Sequence, residues 1–433
     1  MTVEIVKWSP AEPSQAVTAL VERERFDAQA EATAREVLED IRQNGNRAVS
    51  KYAKQFDGAD LKAAAFRVTA AELTEARETV DASFRVAARE ADKRIAAFAR
   101  AGMRKDWSMS SPRGGNLGEQ FTPFERVGVY VPGGAAPLVS TALMTVSLAK
   151  VAGVAEIVVC TPCDKRRKVN PFLLNALEVA GATEIYKVGG IQAVGMLAYG
   201  TSTVRKVQKI VGPGNTFVTA AKRQVYGHVA LDLVAGPSEI AVLADDSADP
   251  RYVAADMLSQ AEHGSGRERA LLVTPCAPLA RAAQQELETQ ARALQRQEYV
   301  QAVMKQGMLI VLVNTLDDGM ELCNRFAPEH LEMMVRGPRN WLKKVRCAGA
   351  VFVGEWSPEA AGDYVAGPSH VLPTGGAAAL FSGLSVDDFR RRTSYVAFTR
   401  ADLSDTLPLI ETFGRVEGLD AHARSARIRF QKA

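Results

Sequence analysis

Histidine is scarce in this sequence. The 433 residues hold five: His228, His263, His330, His370 and His422. Imidazole is the commonest metal ligand and general base, so each one can be weighed singly. Cysteine is equally scarce, and its count of five is odd, which excludes a fully paired disulfide framework. Cys160 and Cys163 form one C-x-x-C, but no second pair follows to complete a zinc ribbon. They read as ordinary thiols after a buried strand in a reducing compartment, or as a redox dithiol. An excess of either charge is lacking too. Lys plus Arg is 53 and Asp plus Glu is 50, which leaves no electrostatic footprint for nucleic acid or an anionic membrane. Glu4, Lys7 and Glu22 interrupt the first residues, so no secretory signal is expected. The most apolar stretch, Leu138 to Cys160, is broken by Lys150 and Glu156 and reads as a buried strand–helix–strand passage, not a membrane span. The dinucleotide fingerprint G-x-G-x-x-G is absent. The expectation is a soluble cytoplasmic protein.

What is present is globular: 47% hydrophobic and 24% charged residues, on a chain long enough to bury large cores without disulfides. From about residue 26 to Lys54, apolar positions recur at three and four residues, with one break at Asn44-Gly45, and predict helix. A second helical stretch is expected from about Ala70 to Met103. Residues 104–124 read as loop or hairpin. Short apolar strands then alternate with helices, which indicates βαβ units and parallel sheets. The fold class expected is α/β, two Rossmann-like βαβ domains with helical N-terminal and C-terminal extensions. The division expected is a helical extension over 1–25, a first α/β domain over 26–125 plus 239–384, a second Rossmann-like domain over 126–238, and a helical tail over 385–433.

Several constellations could carry chemistry. Gln260 and His263 in SQAEH are three residues apart at a helix end, so an amide oxygen and an imidazole share one face. A solvated histidine at a helix end is the ordinary alternative. Asp363 and His370 lie in GDYVAGPSH, which reads as a fixed loop after a strand, where α/β folds place ligands. Asp363 is then a hard ligand or a turn cap, and His370 a substrate contact. Glu417 and His422 lie in the tail segment EGLDAH, with His422 in the final helix and Glu417 at its start. Together Gln260, His263, Asp363 and His422 supply two nitrogens and two oxygens, a donor set that suits Zn²⁺ with room for substrate. In APEHLE, Pro328 is placed to open a helix, which puts His330 in a first turn whose dipole keeps imidazole neutral, as a general base requires. Adjacent Glu329 could activate water. Three glycine turns, Val131-Pro132-Gly133-Gly134, Val188-Gly189-Gly190-Ile191-Gln192 and Val211-Gly212-Pro213-Gly214-Asn215, each follow a strand and precede a helix, where backbone N–H groups can meet a pyrophosphate. Asp232 to Glu239, DLVAGPSE, joins the two blocks and sets Ser238 at a cleft.

The ordered set DLVAGPSE, SQAEHG, APEHLE, GDY-x-x-GP-x-H-x-LPT and EGL-x-x-H resembles the histidinol dehydrogenase family, from about residue 26 to the end. Four of the five histidines fall inside these motifs, and His228 reads as structural. The resemblance implies zinc on Gln260, His263, Asp363 and His422, His330 as general base, and Glu329 activating water. It implies that Ser238, His370 and Glu417 contact the substrate, and that Tyr130, Gln192 and Asn215 meet NAD⁺. It also implies a homodimer in which Glu417 and His422 reach the partner's active site, and two successive oxidations of L-histidinol to L-histidine. A related dehydrogenase of another small alcohol, such as a sulfonated propanediol, shares much of the pattern. A non-redox zinc hydrolase would use the same metal without a nucleotide, and a catalytically dead binding protein would need none of the chemistry.

Overall fold

The computed structural model describes residues 2–23, 27–133, 137–233 and 236–431. Residue 26, Gly134 of the first glycine turn, and Val234 and Ala235 of the joining segment lie outside the described residues. The chain divides into two compact units, Met1–Gly102 with Phe124–Phe389, and Met103–Pro123 with Arg390–Ala433.

The first unit begins with strand β1 (Glu4–Lys7) and helices α1 (Gln15–Val21), α2 (Ala28–Asn44), α3 (Asn46–Asp57), α4 (Ala70–Thr79) and α5 (Ala82–Gly102). Strands β2 (Trp107–Ser110) and β3 (Asn116–Pro123) belong to the second unit. A βαβ run follows: β4 (Arg126–Tyr130), α6 (Val139–Ala152), β5 (Glu156–Cys160), α7 (Pro171–Ala180), β6 (Glu184–Tyr186), α8 (Gly190–Tyr199), β7 (Lys209–Val211), α9 (Thr216–Gln224) and β8 (Ala230–Leu231). The next run is β9 (Glu239–Ala244), α10 (Pro250–Ala261), β10 (Arg269–Thr274), α11 (Ala277–Ala291), α12 (Gln297–Gln306), β11 (Met308–Leu312), α13 (Leu316–Phe326), β12 (His330–Met334), β13 (Ala350–Val353) and α14 (Glu359–Tyr364). The second unit closes with β14 (Arg390–Ala397), α15 (Arg400–Glu417) and α16 (Asp420–Arg427).

Two parallel sheets result. One has the order β6-β5-β4-β7-β8, the other β1-β11-β10-β9-β12-β13. Both are α/β units with helices on their faces, as the alternating pattern predicts. The burial follows the two-residue period of a strand. Ile240, Val242 and Ala244 of β9 pack with α10, α11 and α12, whereas Ala241 and Leu243 pack on the opposite face with α1 and α13. In each sheet the strand order reverses beside the first strand of its run, between β4 and β7 and between β9 and β12. Among the described residues no helix is long and apolar enough to cross a membrane. Cys160 and Cys163 are buried and free. Burial pushes both thiols up, Cys163 to about 11, which keeps them protonated and unreactive.

Several elements differ from expectation. The first residues are not purely helical: β1 pairs in parallel with β11, Glu4 opposite Leu309. Four residues carry too little alternation to announce a strand; the sheet edge supplies the partner. Helices α2 to α5 pack on α6, α7, α8 and α9, around the five-stranded sheet, whereas the expected division groups them with 239–384. The 70–103 stretch is two helices, broken at Val80 and Asp81. The tail contains an eight-residue strand, β14, antiparallel to β3. Its RRRTSYVA carries β-forming Thr, Tyr and Val behind an arginine run that masks them. Within the second unit, buried Asp402 caps α15 and accepts N–H bonds from Arg113 and Gly115, each at 3.0 Å, which ties the β2–β3 turn to that helix.

Two corrections bear on chemistry. His330 opens β12, in register with Ile240 of β9 and Ala350 of β13, instead of lying in a helix. HLEMM is buried on both faces, and a fully buried strand shows no period to separate it from a helix. Asp363 lies in the last turn of α14, not in a loop. The glycines that suggest a loop fall at either side of it or, like Gly362, within the turn.

Candidate active site

Parallel βαβ topology explains why the chemistry-bearing residues meet. Helix α10 leaves the carboxyl end of β9 and runs back, so its C-terminus lands at the amino edge of the six-stranded sheet. Gln260 and His263 arrive there. Ser238 immediately precedes β9 and Glu329 immediately precedes β12, at the same edge. This differs from the expectation that Asp363 and His370 lie in a loop at a strand's carboxyl end.

Glu239 organises this edge through its backbone. Its N–H donates to Glu329 Oε2 at 3.1 Å, and its carbonyl accepts from His330 Nδ1 at 3.2 Å. That contact assigns the proton to Nδ1 and leaves Nε2 with a free lone pair. Nε2 lies 3.8 Å from Asp363 Oδ1 and 4.0 Å from Glu359 Oε1, and has no hydrogen-bond partner. His330 is 2% exposed. Burial lowers its pKa to about 4, against the pull of the Glu359 carboxylate. The imidazole is neutral near pH 7 for that reason, not because of a helix dipole. Burial, helped by the charge of Asp363, pushes Glu329 well above the usual carboxylate range. Burial also raises Glu359 and Asp363.

Around this pair, Gln260 is wholly buried and neither its Oε1 nor its Nε2 has a partner. His263 is exposed; its Nδ1 lies 3.2 Å from the carbonyls of Ser259 and Gln260, which turns Nε2 outward. Glu359 Oε2 accepts from the Ser259 hydroxyl at 2.9 Å, and its backbone N–H donates to Glu332 Oε1 at 2.7 Å. His370 donates from Nδ1 to the Asp363 carbonyl at 3.0 Å and accepts at Nε2 from Thr141 Oγ1 at 3.0 Å. Burial lowers it to about 4 as well. One ligand atom each from His330, Glu359 and Asp363 lies within 4.8 Å of the others. Wholly buried Gln260, whose amide has no partner, His263 with its Nε2 turned outward, and the Asp363 carboxylate supply nitrogen and oxygen donors that fit a divalent cation of zinc's borderline character, while His330 Nε2 stays open beside Asp363.

Thus the first unit gathers Gln260, His263, Glu329, His330, Asp363 and His370, with Ser238 at the same edge. Glu417 and His422 belong to the second unit, where both are exposed. Glu417 ends α15 before the left-handed Gly418, and does not start the final helix; His422 does lie in that helix, α16. Glu239 and Glu359 were missed. Glu359 precedes Asp363 by one helical turn, a signal hidden while that segment reads as loop.

The five-stranded sheet brings its own polar groups. Tyr130 closes β4, and its buried hydroxyl accepts from Gly190 N–H at 3.2 Å. Gln192 is fully buried, donates from Nε2 to Asp57 Oδ2 at 2.8 Å and leaves Oε1 without a partner. Asn215 is the N-cap of α9, its Oδ1 accepting from Phe217 and Val218. Gly212 has φ +111, and a Cβ there would meet the Tyr130 carbonyl oxygen at 2.1 Å, so only glycine fits. The amides of these turns are less open than the sequence suggests. Gly189 N–H bonds Asp57, Gly190 N–H bonds Tyr130, and Gly212 N–H bonds Asp232 at 2.7 Å. Asp57, raised to about 6 by burial, was not foreseen in this cluster.

With this geometry in view, comparison with known proteins is direct. The family model described as histidinol dehydrogenase matches residues 21–430. A histidinol dehydrogenase of Heliobacterium mobile is 46% identical over 406 residues, 94% of this chain and 95% of that protein. One from Moorella thermoacetica is 47% identical over 92% of this chain and 94% of its own. The crystal structure of histidinol dehydrogenase from Elizabethkingia anophelis superposes with a TM-score of 0.93 at 35% identity, covering 99% of this chain and 98% of that one. Fold and relatives together define an α/β oxidoreductase. The chain belongs to the histidinol dehydrogenase family.

Proposed function

We propose that this chain oxidises L-histidinol through L-histidinaldehyde to L-histidine, with two NAD⁺ as hydride acceptors, in histidine biosynthesis. The observation that carries the proposal is His330: buried, neutral, its Nδ1–H donating to the Glu239 carbonyl, with an open Nε2 beside Asp363. An imidazole so held can take the proton of an alcohol.

Gln260, His263 and Asp363, with His422 of the partner subunit, would hold Zn²⁺, which when bound polarises the substrate's oxygen and nitrogen atoms. NAD⁺, met by Tyr130, Gln192 and Asn215, would accept hydride. His330 Nε2 takes the hydroxyl proton in the first oxidation. Glu329 then directs water at the aldehyde, and the hydrate loses a second hydride and a proton. Ser238, His370 and Glu417 orient the substrate, the last opposing its cationic end. The sum is L-histidinol, two NAD⁺ and water giving L-histidine, two NADH and three protons.

A homodimer with tails exchanged between active sites accords with α15 of the second unit. Leu409, Phe413 and Val416 share one helix face and are 62%, 67% and 70% exposed. A cytoplasmic setting accords with five free cysteines. The decisive experiment is NADH production from L-histidinol by purified protein, with and without a chelator. Two NADH per histidinol, abolished by chelation and restored by Zn²⁺, are expected. No NADH from histidinol, with turnover of a sulfonated propanediol instead, would replace the substrate assignment.

A further inference from the structure

The residues that position Glu329 and His330 are themselves held from outside the motif set. Arg23 lies just after α1, and its side chain is 7% exposed. Its Nε sits 2.8 Å from Glu239 Oε1. Its Nη1 and Nη2 each donate to the Phe326 carbonyl at 3.0 Å, and its guanidinium carbon stands 4.2 Å over the Phe326 ring. The other carboxylate oxygen of Glu239 accepts from Gly376 N–H at 3.3 Å.

These two attachments meet the catalytic pair from both sides. Glu239 is the residue whose N–H and carbonyl hold Glu329 and His330. Phe326 ends α13, and the turn that follows it, Ala327-Pro328, leads directly into Glu329. Ala327 has φ +46, a left-handed conformation that a residue with a Cβ adopts only when its surroundings impose it. The carbonyl fixed by the guanidinium is the one preceding that strained residue. One planar cation therefore joins the start of β9 to the turn entering β12. A buried ion pair is a poor way to gain stability, because desolvation offsets the attraction. It is a good way to fix geometry, since the guanidinium fork pre-sets several directions at once.

We propose that Arg23 is a positioning residue for the oxidation, fixing the Nδ1–H tautomer and the aim of His330 Nε2 through Glu239 and Phe326; this rests on the function proposed above. Arg23 touches neither reacting atoms nor cofactor. Its loss shifts the Glu239 carbonyl, frees the imidazole to rotate or exchange tautomer, and leaves the nucleotide turns of the other sheet untouched.

The test compares full-length wild type with R23A, R23K and E239Q, all loaded with zinc. R23A is expected to lower kcat about a hundredfold, the scale of a small misplacement of a catalytic group, with the KM for NAD⁺ unchanged. R23K, which keeps the charge but loses the fork and the stacking, falls between. Methylguanidinium restores part of the R23A rate and leaves wild type unaffected. Folded R23A with wild-type kcat overturns the proposal, as does a loss that tracks Tm and that methylguanidinium does not repair. If R23A does not fold, R23K and E239Q carry the test, and wild-type kcat in both overturns it. The ¹⁵N shifts of the His330 ring report separately from turnover. A single Nδ1–H tautomer in wild type and a mixture in R23K support the strut even where histidinol proves not to be the substrate; one tautomer in both overturns it.

Discussion

Numbered along each run, the strands of both parallel sheets stand in the order third, second, first, fourth, fifth, with β1 added outside the second sheet. In the five-stranded sheet the polar groups follow the strands: Tyr130 closes β4, and Gly212 follows β7. In the six-stranded sheet they precede the strands: Ser238 before β9, Glu329 before β12. The first places them where α/β folds gather ligands, outside the carboxyl ends at a switch point. The second keeps the scaffold and uses the opposite edge. The difference teaches that topology sets where crevices form, while loop and helix-end residues decide which crevice does chemistry. A helix returning from β9 delivers Gln260 and His263 to the amino edge as surely as a glycine turn delivers backbone to the carboxyl edge.

If the edges divide the labour, damage to one should leave the other intact. The largest effect is expected from His330→Ala: turnover falls by at least about 10²-fold, the usual worth of a general base, while bound zinc and NADH affinity by fluorescence titration stay as in wild type. Lost NADH affinity would break the division. The reverse experiment is Gln192→Ala, which should raise the KM for NAD⁺ several-fold with the zinc content unchanged. Asn215→Ala should do the same and lower stability by about 1 kcal/mol, because its side chain also caps α9; a calorimetric Tm equal to wild type would deny the cap.

The smallest effects are in the pH dependence of stability, and they separate the sheets by window. His330 is held at about 4 by burial, below the ordinary 6.5. Between those values the unfolded chain binds more protons, so stability falls as pH drops from 6.5 to about 4. His330→Ala should flatten that part of the profile. In the five-stranded sheet, Arg126 at the start of β4 holds Glu184 at about 2, below the usual 4.5. That stabilisation is present above 4.5 and is lost as pH falls through about 2. Arg126→Met should remove the lower window alone; chemical denaturation across pH reads both, and equal slopes in variant and parent would refute the assignment.

The βαβ alternation, the glycine turns and the ordered motifs were legible because each is local. What was not legible depends on neighbours. HLEMM reads as helix after Pro328, since burial on both faces erases the strand period. Glu239 looks like the end of a motif, but its contribution comes from its backbone and its partner Arg23, far away in sequence. Asp57 joins Gln192 only because α3 packs on α8. Three arginines concealed β14. The gathering of Gln260, His263 and Asp363 at one edge follows from helix direction, which spacing alone does not contain.

The pairing of β1 with β11 has a temporal consequence. Residues 4–7 leave the ribosome well before their partners, 309–312, which emerge only after the whole five-stranded sheet and much of the second run. A strand made early is thus among the last to dock, and Arg23, which follows α1, waits for Phe326 and Glu239. A nascent chain stalled before Met308 should keep its first residues open to protease while 126–231 already resist. During synthesis Glu329 and His330 are tensioned only once the far end of the sheet has arrived, so β1 and α1 act as a late latch on elements otherwise assembled in order.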